Sequence, residues 1–446
     1  MRIESFWARG FRSLRDVRID NLGAFNVFYG PNGSGKSNLL AAIEAWLRLI
    51  PIALQTSHNQ VDIFLGFEGL PKQQLLERLR GNHACREPDA PLRASDFTLH
   101  SSRRTITLGG TLSDLGAGIR HAEIEVHLDA SAAAKPSLHW SAWSVDGIPL
   151  DHDVQASPHQ QAKLAALEGV DWERKLSLVA ADRMPRSEPV GKRPPEHAEP
   201  LSWYFRRGQL KDALFAAQNA TSPDTVRALE RFRQFMAGPP LHRRPFRAVE
   251  DPHTGIRDLR EWLPPPLDAH DISLDLAGLG VAQLYWILGQ AMLSGAAVVG
   301  IEEPEAHLHA PTTGRHLREL LARLVEEKHI DQLFIATHSN LFDLDPTGFF
   351  DVRLENGATV VTKKPLDAID EHLYEPGPTL HALEELLAIA PPDKVMFRRP
   401  DGSPVTAEEM VTMLRAADPI ALDYLRNLHA AAVDVVGLRS RRAVAT

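Results

Sequence analysis

Cysteine is almost missing from this chain of 446 residues: Cys85 stands alone, so no internal disulfide can form, as expected in a reducing compartment. Long apolar runs are missing too. No stretch of eighteen or more apolar residues occurs, and the opening Met1-Arg2-Ile3-Glu4 lacks the apolar core of a signal peptide, so a cytoplasmic protein without membrane contact is expected. No heptad pattern runs long enough for extended coiled-coil arms. Positive charge is not in excess either: 49 Lys and Arg against 58 Asp and Glu leave a net charge of −9. Contact with DNA or RNA would therefore need a local basic stripe. What remains is ordinary globular composition, 43% hydrophobic and 24% charged, in a chain too long for one compact core. Two or three domains are expected.

The most informative segment is Gly30-Pro31-Asn32-Gly33-Ser34-Gly35-Lys36-Ser37. It follows the apolar run Phe25 to Tyr29 and opens the periodic helix Asn38 to Ile50, giving strand, glycine-rich loop and helix in the order a triphosphate site requires. Glycines let the backbone coil so that successive N–H groups face phosphate oxygens, and the helix N-terminus adds its positive dipole end. Lys36 would neutralise the β- and γ-phosphates, and the Ser37 hydroxyl would ligate Mg²⁺. The pattern predicts a site for ATP or GTP.

Three stretches of composition follow. Two strands, Ile3 to Ala8 and Leu14 to Ile19, precede the loop, and Leu39, Leu40, Ile43, Trp46, Leu47 and Ile50 mark the buried side of the helix. From about Asp96 to Leu150 the pattern alternates, as in Thr105 to Leu108 and Ala122 to Leu128, and predicts an antiparallel sheet. Leu176 to Ala181 is a further strand, Pro185 to Pro200 a loop, and Ser222-Pro223 starts a helix running to about Ala237. The middle third is rich in basic residues: Arg183, Arg186, Lys192, Arg193, Arg206, Arg207, Lys211, Arg227, Arg231, Arg233, Arg243, Arg244 and Arg247, interleaved with Trp203, Tyr204, Phe205, Phe232 and Phe235. Two readings stand: a nucleic-acid stripe, or helix faces paired with nearby acids.

The second half returns to alternating strand and helix. Ala296 to Ile301 reads as a strand buried on both faces and ends in Glu302-Glu303. Acids at the carboxyl end of such a strand face the ligand crevice, so Glu302 is placed to reach Mg²⁺ and Glu303 to polarise an attacking water. After a helix from about Thr312 to Lys328, the run Gln332 to Ala336 delivers Thr337-His338-Ser339, with His338 near the γ-phosphate. His307 and His309 are poor zinc candidates, Asp343-Leu344-Asp345 reads as a loop or cap, and residues after about 366 predict a short hairpin and helices, with Thr406 and Glu409 forming a capping box.

Together these segments resemble the ABC-type ATPase superfamily, in the branch of OLD and RecF-like proteins whose heads resemble SMC heads. Gly30 to Ser37 resembles Walker A, Ile301-Glu302-Glu303-Pro304-Glu305-Ala306-His307-Leu308-His309 Walker B and the D-loop, and Ala336 to Ser339 the switch-histidine segment. Asp275 to Gln283 resembles the signature segment. The resemblance implies a P-loop α/β head built on a mixed, largely parallel sheet with an antiparallel β lobe. It spans residues 1–66 and 260–365, with a β-rich insertion at 67–182, a Pro/Arg-rich helical lobe at 183–259 and a small helical domain at 366–446. No Toprim domain is expected. The resemblance further implies nucleotide contacts from Gly30 through Asn38 and, across a dimer, from Gly278, Gly280 and Gln283. The catalytic set would be Lys36, Glu303 and His338, with Ser37 and Glu302 on magnesium. It implies an ATP-dependent homodimer acting as a switch in defence against phage or in DNA repair, with a separate effector such as a nuclease. The alternatives are a RecF-like DNA clamp without effector and a regulatory or transport-associated subunit.

Overall fold

The computed structural model describes residues 1–56, 105–129, 137–150, 157–172, 175–179, 201–206, 209–251, 253, 256–262, 271–276, 279–306, 313–339, 342, 348–364, 391, 393–399, 402–415, 418 and 420–421. Cys85, the Pro185 to Pro200 stretch, Gly278, His307, His309, Asp343 and Asp345 lie outside them. The chain forms two units, one of Met1–His309 and Thr313–Ile369, the other of Ala310–Thr312 and Asp370–Thr446.

The first unit opens with β1 (Arg2–Phe11), β2 (Leu14–Ile19), β3 (Phe25–Tyr29) and helix α1 (Lys36–Thr56), followed by β4 (Thr105–Gly116), β5 (Ile119–Asp129), β6 (Ser137–Val145) and β7 (Ile148–Leu150). Strands β2-β1-β4-β5-β6-β7 make one antiparallel sheet. The alternation seen at Thr105 to Leu108 and Ala122 to Leu128 is register: Thr107 faces His127 and Leu108 faces Val126. This sheet is continuous with the opening strands of the chain, since β4 pairs directly with β1 along Thr107 to Ser113.

Next in the chain come helix α2 (Pro158–Glu168), strand β8 (Leu176–Val179) and helices α3 (Leu201–Arg206), α4 (Leu210–Gln218) and α5 (Pro223–Ala237). Strands β9 (Phe246–Glu250), β10 (Arg257–Trp262) and β11 (Asp271–Ser273) lead to α6 (Leu279–Leu293), β12 (Val298–Glu302), α7 (Thr313–Glu326), β13 (Gln332–Thr337), β14 (Phe349–Glu355) and β15 (Ala358–Lys363). The core sheet has the order β15-β14-β3-β13-β12-β8; all neighbours are parallel except the β14–β15 hairpin. Its hairpin turns at Asn356 and Gly357, both with positive φ, the geometry for which Asn-Gly is suited.

Helix α1 packs β1, β4 and β5 on one side and β8 and β13 on the other. A helix between two sheets has no solvent side, and Ala41, Ala42, Ala45 and Leu49 are buried along with the predicted apolar stripe. The expected end at Ile50 is also corrected. The helix continues through Pro51 to Thr56, because burial of Ala53 and Leu54 in the last turns offsets the one backbone bond that proline forfeits.

Strands β11-β10-β9 form a separate small sheet. Around it several described basic residues of the middle third pair with acids. Arg243 grips Glu261 with contacts of 2.6, 2.7 and 3.0 Å, and the Tyr285 hydroxyl of α6 donates to the same carboxylate at 2.7 Å. Buried Lys211 lies 2.6 Å from Asp275 and 3.3 Å from Asp258, Arg247 pairs with Asp271, and Arg227 with Asp224. Of the two readings of these residues, pairing with nearby acids describes Lys211 and Arg243 in the interior and Arg227 and Arg247 at the surface.

In the second unit, β16 (Val395–Arg398) and β17 (Pro404–Thr406) pair ahead of helix α8 (Ala407–Arg415). Val405, Ala407, Met410 and Ala421 form its core, and the Glu409 N–H donates to Thr406 Oγ1 at 3.3 Å, one arm of the expected capping box.

Candidate nucleotide site

Strands β12, β13 and β3 are adjacent and parallel, so their carboxyl ends lie side by side, with Glu302 level with Ala336 and Thr337 level with Tyr29. Three chemistries meet there: the glycine-rich loop after β3, the two acids after β12 and His338 after β13. The crevice beyond the carboxyl ends of parallel strands is where α/β folds place ligands.

Gly33 and Gly35 take positive φ values of 78° and 106°, which coil the loop before α1 begins at Lys36. The first N–H groups of a helix have no partner within it, so α1 presents them at the loop mouth. The exposed Ser37 hydroxyl stands there too. Two glycines are also required by what passes behind the loop. A Cβ at Gly30 would lie 2.1 Å from the Val352 carbonyl oxygen of β14, and one at Gly35 would lie 2.0 Å from Thr359 Oγ1 of β15. At Gly33 a Cβ would meet nothing.

Lys36 is buried, and its ammonium donates to the carbonyls of Gly30 at 2.7 Å and Pro31 at 2.9 Å. Burial pushes its pKa below the ordinary lysine value, while the charges of Glu303, Glu305 and Glu302 oppose that shift. The lysine thus sits in a field of three carboxylates, a setting for a cation that exchanges loop carbonyls for phosphate oxygens. Glu302 is buried at the end of β12, and Glu303 holds a left-handed φ of 40° as its N–H donates to the Ala336 carbonyl.

His338 is half exposed, its Nδ1 3.4 Å from Glu305 Oε1 and 4.0 Å from Glu303 Oε1. Thr337 Oγ1 donates to that same Glu305 oxygen at 2.5 Å and accepts from the Ser339 N–H at 2.8 Å. Glu305 therefore belongs to the cluster, although the sequence reading assigned it no role. Its signal was present: a third acid three residues beyond Glu302, in the turn that brings the chain back over the strand ends. Asn38 turns toward the β1–β2 connection, donating to Ser13 Oγ at 2.7 Å and accepting from Arg12 at 3.3 Å. Of the signature residues, Gly280 lies in the first turn of α6 and Gln283 is fully buried.

The donor set fits a magnesium-bound triphosphate: coiled backbone N–H groups, one buried cation, an open serine hydroxyl and a buried carboxylate at the neighbouring strand end. Among the described residues no group of three or more His, Cys, Asp or Glu is placed to hold a metal ion. Among the described residues no helix is long and apolar enough to cross a membrane.

Comparison with known proteins adds two partial family matches. Residues 196–345 match a family described as "AAA domain, putative AbiEii toxin, Type IV TA system", and residues 8–48 match a second AAA domain family. No curated protein matches the chain. Among solved structures, an SMC head bound to the C-winged helix domain of ScpA aligns at 14% identity and TM-score 0.47, over 82% of this chain and 98% of that one. The SMC head domain from Thermotoga maritima aligns at 15% identity and TM-score 0.41, over 82% and 99%. An Smc head with an extended coiled coil, bound to the C-terminal domain of ScpA from Pyrococcus furiosus, aligns at 13% identity and TM-score 0.44, over 86% and 99%. The two AAA-like segments supply the loop of one strand end and the acids and histidine of the next two, so the chain is similar to AAA domains over the residues that build the site.

Proposed function

We propose that this head binds ATP with Mg²⁺, closes on a second copy of itself and hydrolyses the nucleotide to reopen. The observation that carries the reading is the placement of Lys36 among Glu302, Glu303 and Glu305 where β3, β12 and β13 end together. Lys36 would leave the Gly30 and Pro31 carbonyls for the β- and γ-phosphates, and the loop N–H groups would complete the grip. Ser37 and Glu302 would hold magnesium, which supplies positive charge between phosphate oxygens. Glu303 would take the proton from an attacking water, and His338, steadied by Glu305, would hydrogen-bond the γ-phosphate. Gly278 and Gly280 of a second copy would close the site from across a dimer, whereas Gln283, fully buried, would not reach it.

A switch of this kind needs an output. A role in defence against phage, with a separate effector such as a nuclease, draws support from the toxin–antitoxin wording of the matched family. DNA or RNA contact draws on the basic stretches of the middle third and DNA repair on the resemblance, and among the described residues the exposed Arg231 and Arg244 are the ones to substitute in a test of such contact. The deciding experiment is calorimetry of the full chain with ATP and with GTP in magnesium, alongside Lys36→Ala. The wild type should bind ATP and the variant should lose at least about tenfold in affinity, since a charge-assisted contact is worth about 1.5–3 kcal/mol. Binding of neither nucleotide by the wild type would sink the proposal.

A further inference from the structure

The β14–β15 hairpin touches the phosphate loop through one side chain. Thr359, at the start of β15, is buried; its Oγ1 lies 2.7 Å from Ser13 Oγ and 3.0 Å from the Ser34 carbonyl oxygen. Its own N–H donates to the Ser13 carbonyl at 2.8 Å. Ser13 Oγ in turn receives Asn38 Nδ2 at 2.7 Å. The Ser34 carbonyl can only accept, so the Thr359 hydroxyl donates to it, with Ser13 Oγ as its second acceptor; Ser13 Oγ also accepts from Asn38. Contacts drawn from the β1–β2 connection, α1 and β15 thus converge behind a main-chain oxygen of the loop.

That oxygen has a consequence through peptide geometry. In a trans planar peptide the C=O and the next N–H point in opposite directions. Holding the Ser34 carbonyl back against β15 therefore turns the Gly35 N–H away from β15, toward the concave side. The close fit agrees: a Cβ at Gly35 would lie 2.0 Å from Thr359 Oγ1 and 2.9 Å from Ser13 Oγ, so the peptide is pressed against both hydroxyls.

We propose that Thr359 is a positioning residue for nucleotide binding, fixing the Ser34–Gly35 peptide so that the Gly35 N–H is presented to a phosphate before any nucleotide arrives. The inference rests on reading the loop as a triphosphate site. Thr359 touches no nucleotide itself; it removes an ordering cost that binding would otherwise meet.

The test uses the full chain as Thr359→Val, Thr359→Ser and, as a route that leaves β15 unaltered, Ser13→Ala. In calorimetry with ATP and magnesium, Thr359→Val should bind about tenfold more weakly, as expected for one lost preorganising hydrogen bond, and Thr359→Ser should stay within about twofold of wild type. Amide exchange without nucleotide should quicken at Gly35 in Thr359→Val and in Ser13→Ala, with the β13 amides unchanged. Wild-type affinity together with unchanged Gly35 exchange in Thr359→Val overturns the proposal, as does equal loss in Thr359→Ser, which would assign the effect to the methyl group. Should wild type bind no ATP, the triphosphate reading fails, and Gly35 exchange still decides whether these hydroxyls order the loop.

Discussion

Lys36 carries the two opposing demands of this site in one side chain. In the proposed cycle its burial lets it meet phosphate without competing water, yet that burial lowers its pKa, and the surrounding glutamates oppose the shift. Because the folded-state value lies below that of an unfolded lysine, the cation is lost earlier as pH rises. ATP affinity should therefore decline on the alkaline side sooner than an ordinary lysine would dictate, a trend that calorimetry between neutral and alkaline pH will show. The glycines behave differently from one another. Gly35→Ala should abolish nucleotide binding and lower the melting temperature, since its Cβ would meet Thr359 Oγ1 and its φ is strongly positive. Gly33→Ala meets no atom and should cost only about 1–2 kcal/mol for the left-handed backbone. The sequence reading found the loop from its spacing and gave all its glycines one purpose. What it could not contain was the hairpin behind them: Thr359 lies 325 positions from Ser34, and no local pattern links the two.

Among the elements, those with regular periodicity were legible and those defined by their neighbours were not. Strand β3, strand β12 and helix α5 fall where apolar runs and caps placed them. Helix α1 was read as one-sided because periodicity reports the helix and not the second sheet laid over it. The Asn356-Gly357 pair marks the β14–β15 hairpin, which the sequence reading passed over. Two elements invite direct tests. Asp146, in the turn between β6 and β7, accepts from Lys163 at 2.5 Å and from the N–H groups of Arg120 and His121 at 3.0 Å each. These contacts, Lys163 first, hold its pKa down from 3.8 to about 2. The folded state thus favours the ionised form, so the stabilisation is present above the unfolded value and vanishes as pH falls through the folded one. The melting difference between wild type and Asp146→Asn should be full near neutral pH and close between about 4 and about 2. In the small sheet, Arg243→Ala would strand the buried Glu261 carboxylate and should cost about 3 kcal/mol by chemical denaturation.

For the molecule as a whole, the proposed cycle predicts an assembly change. Glu303→Gln keeps every binding contact and removes the base, so with ATP and magnesium it should accumulate a dimer in sedimentation, while wild type returns to monomers as nucleotide is spent. Monomers alone in both would refute closure on a second copy. A feature far from the loop bears on how the first unit holds together. Gln332 is fully buried at the start of β13; its Oε1 accepts from the Ile3 N–H, and its Nε2 donates to the carbonyls of Ile3 and Gly23, each at 2.8 Å. One amide therefore rivets the antiparallel sheet to the strand that leads into His338. Neither layer can peel away without leaving dry, unmated dipoles on the other, so a calorimetric scan of this unit should show both sheets lost in a single endotherm.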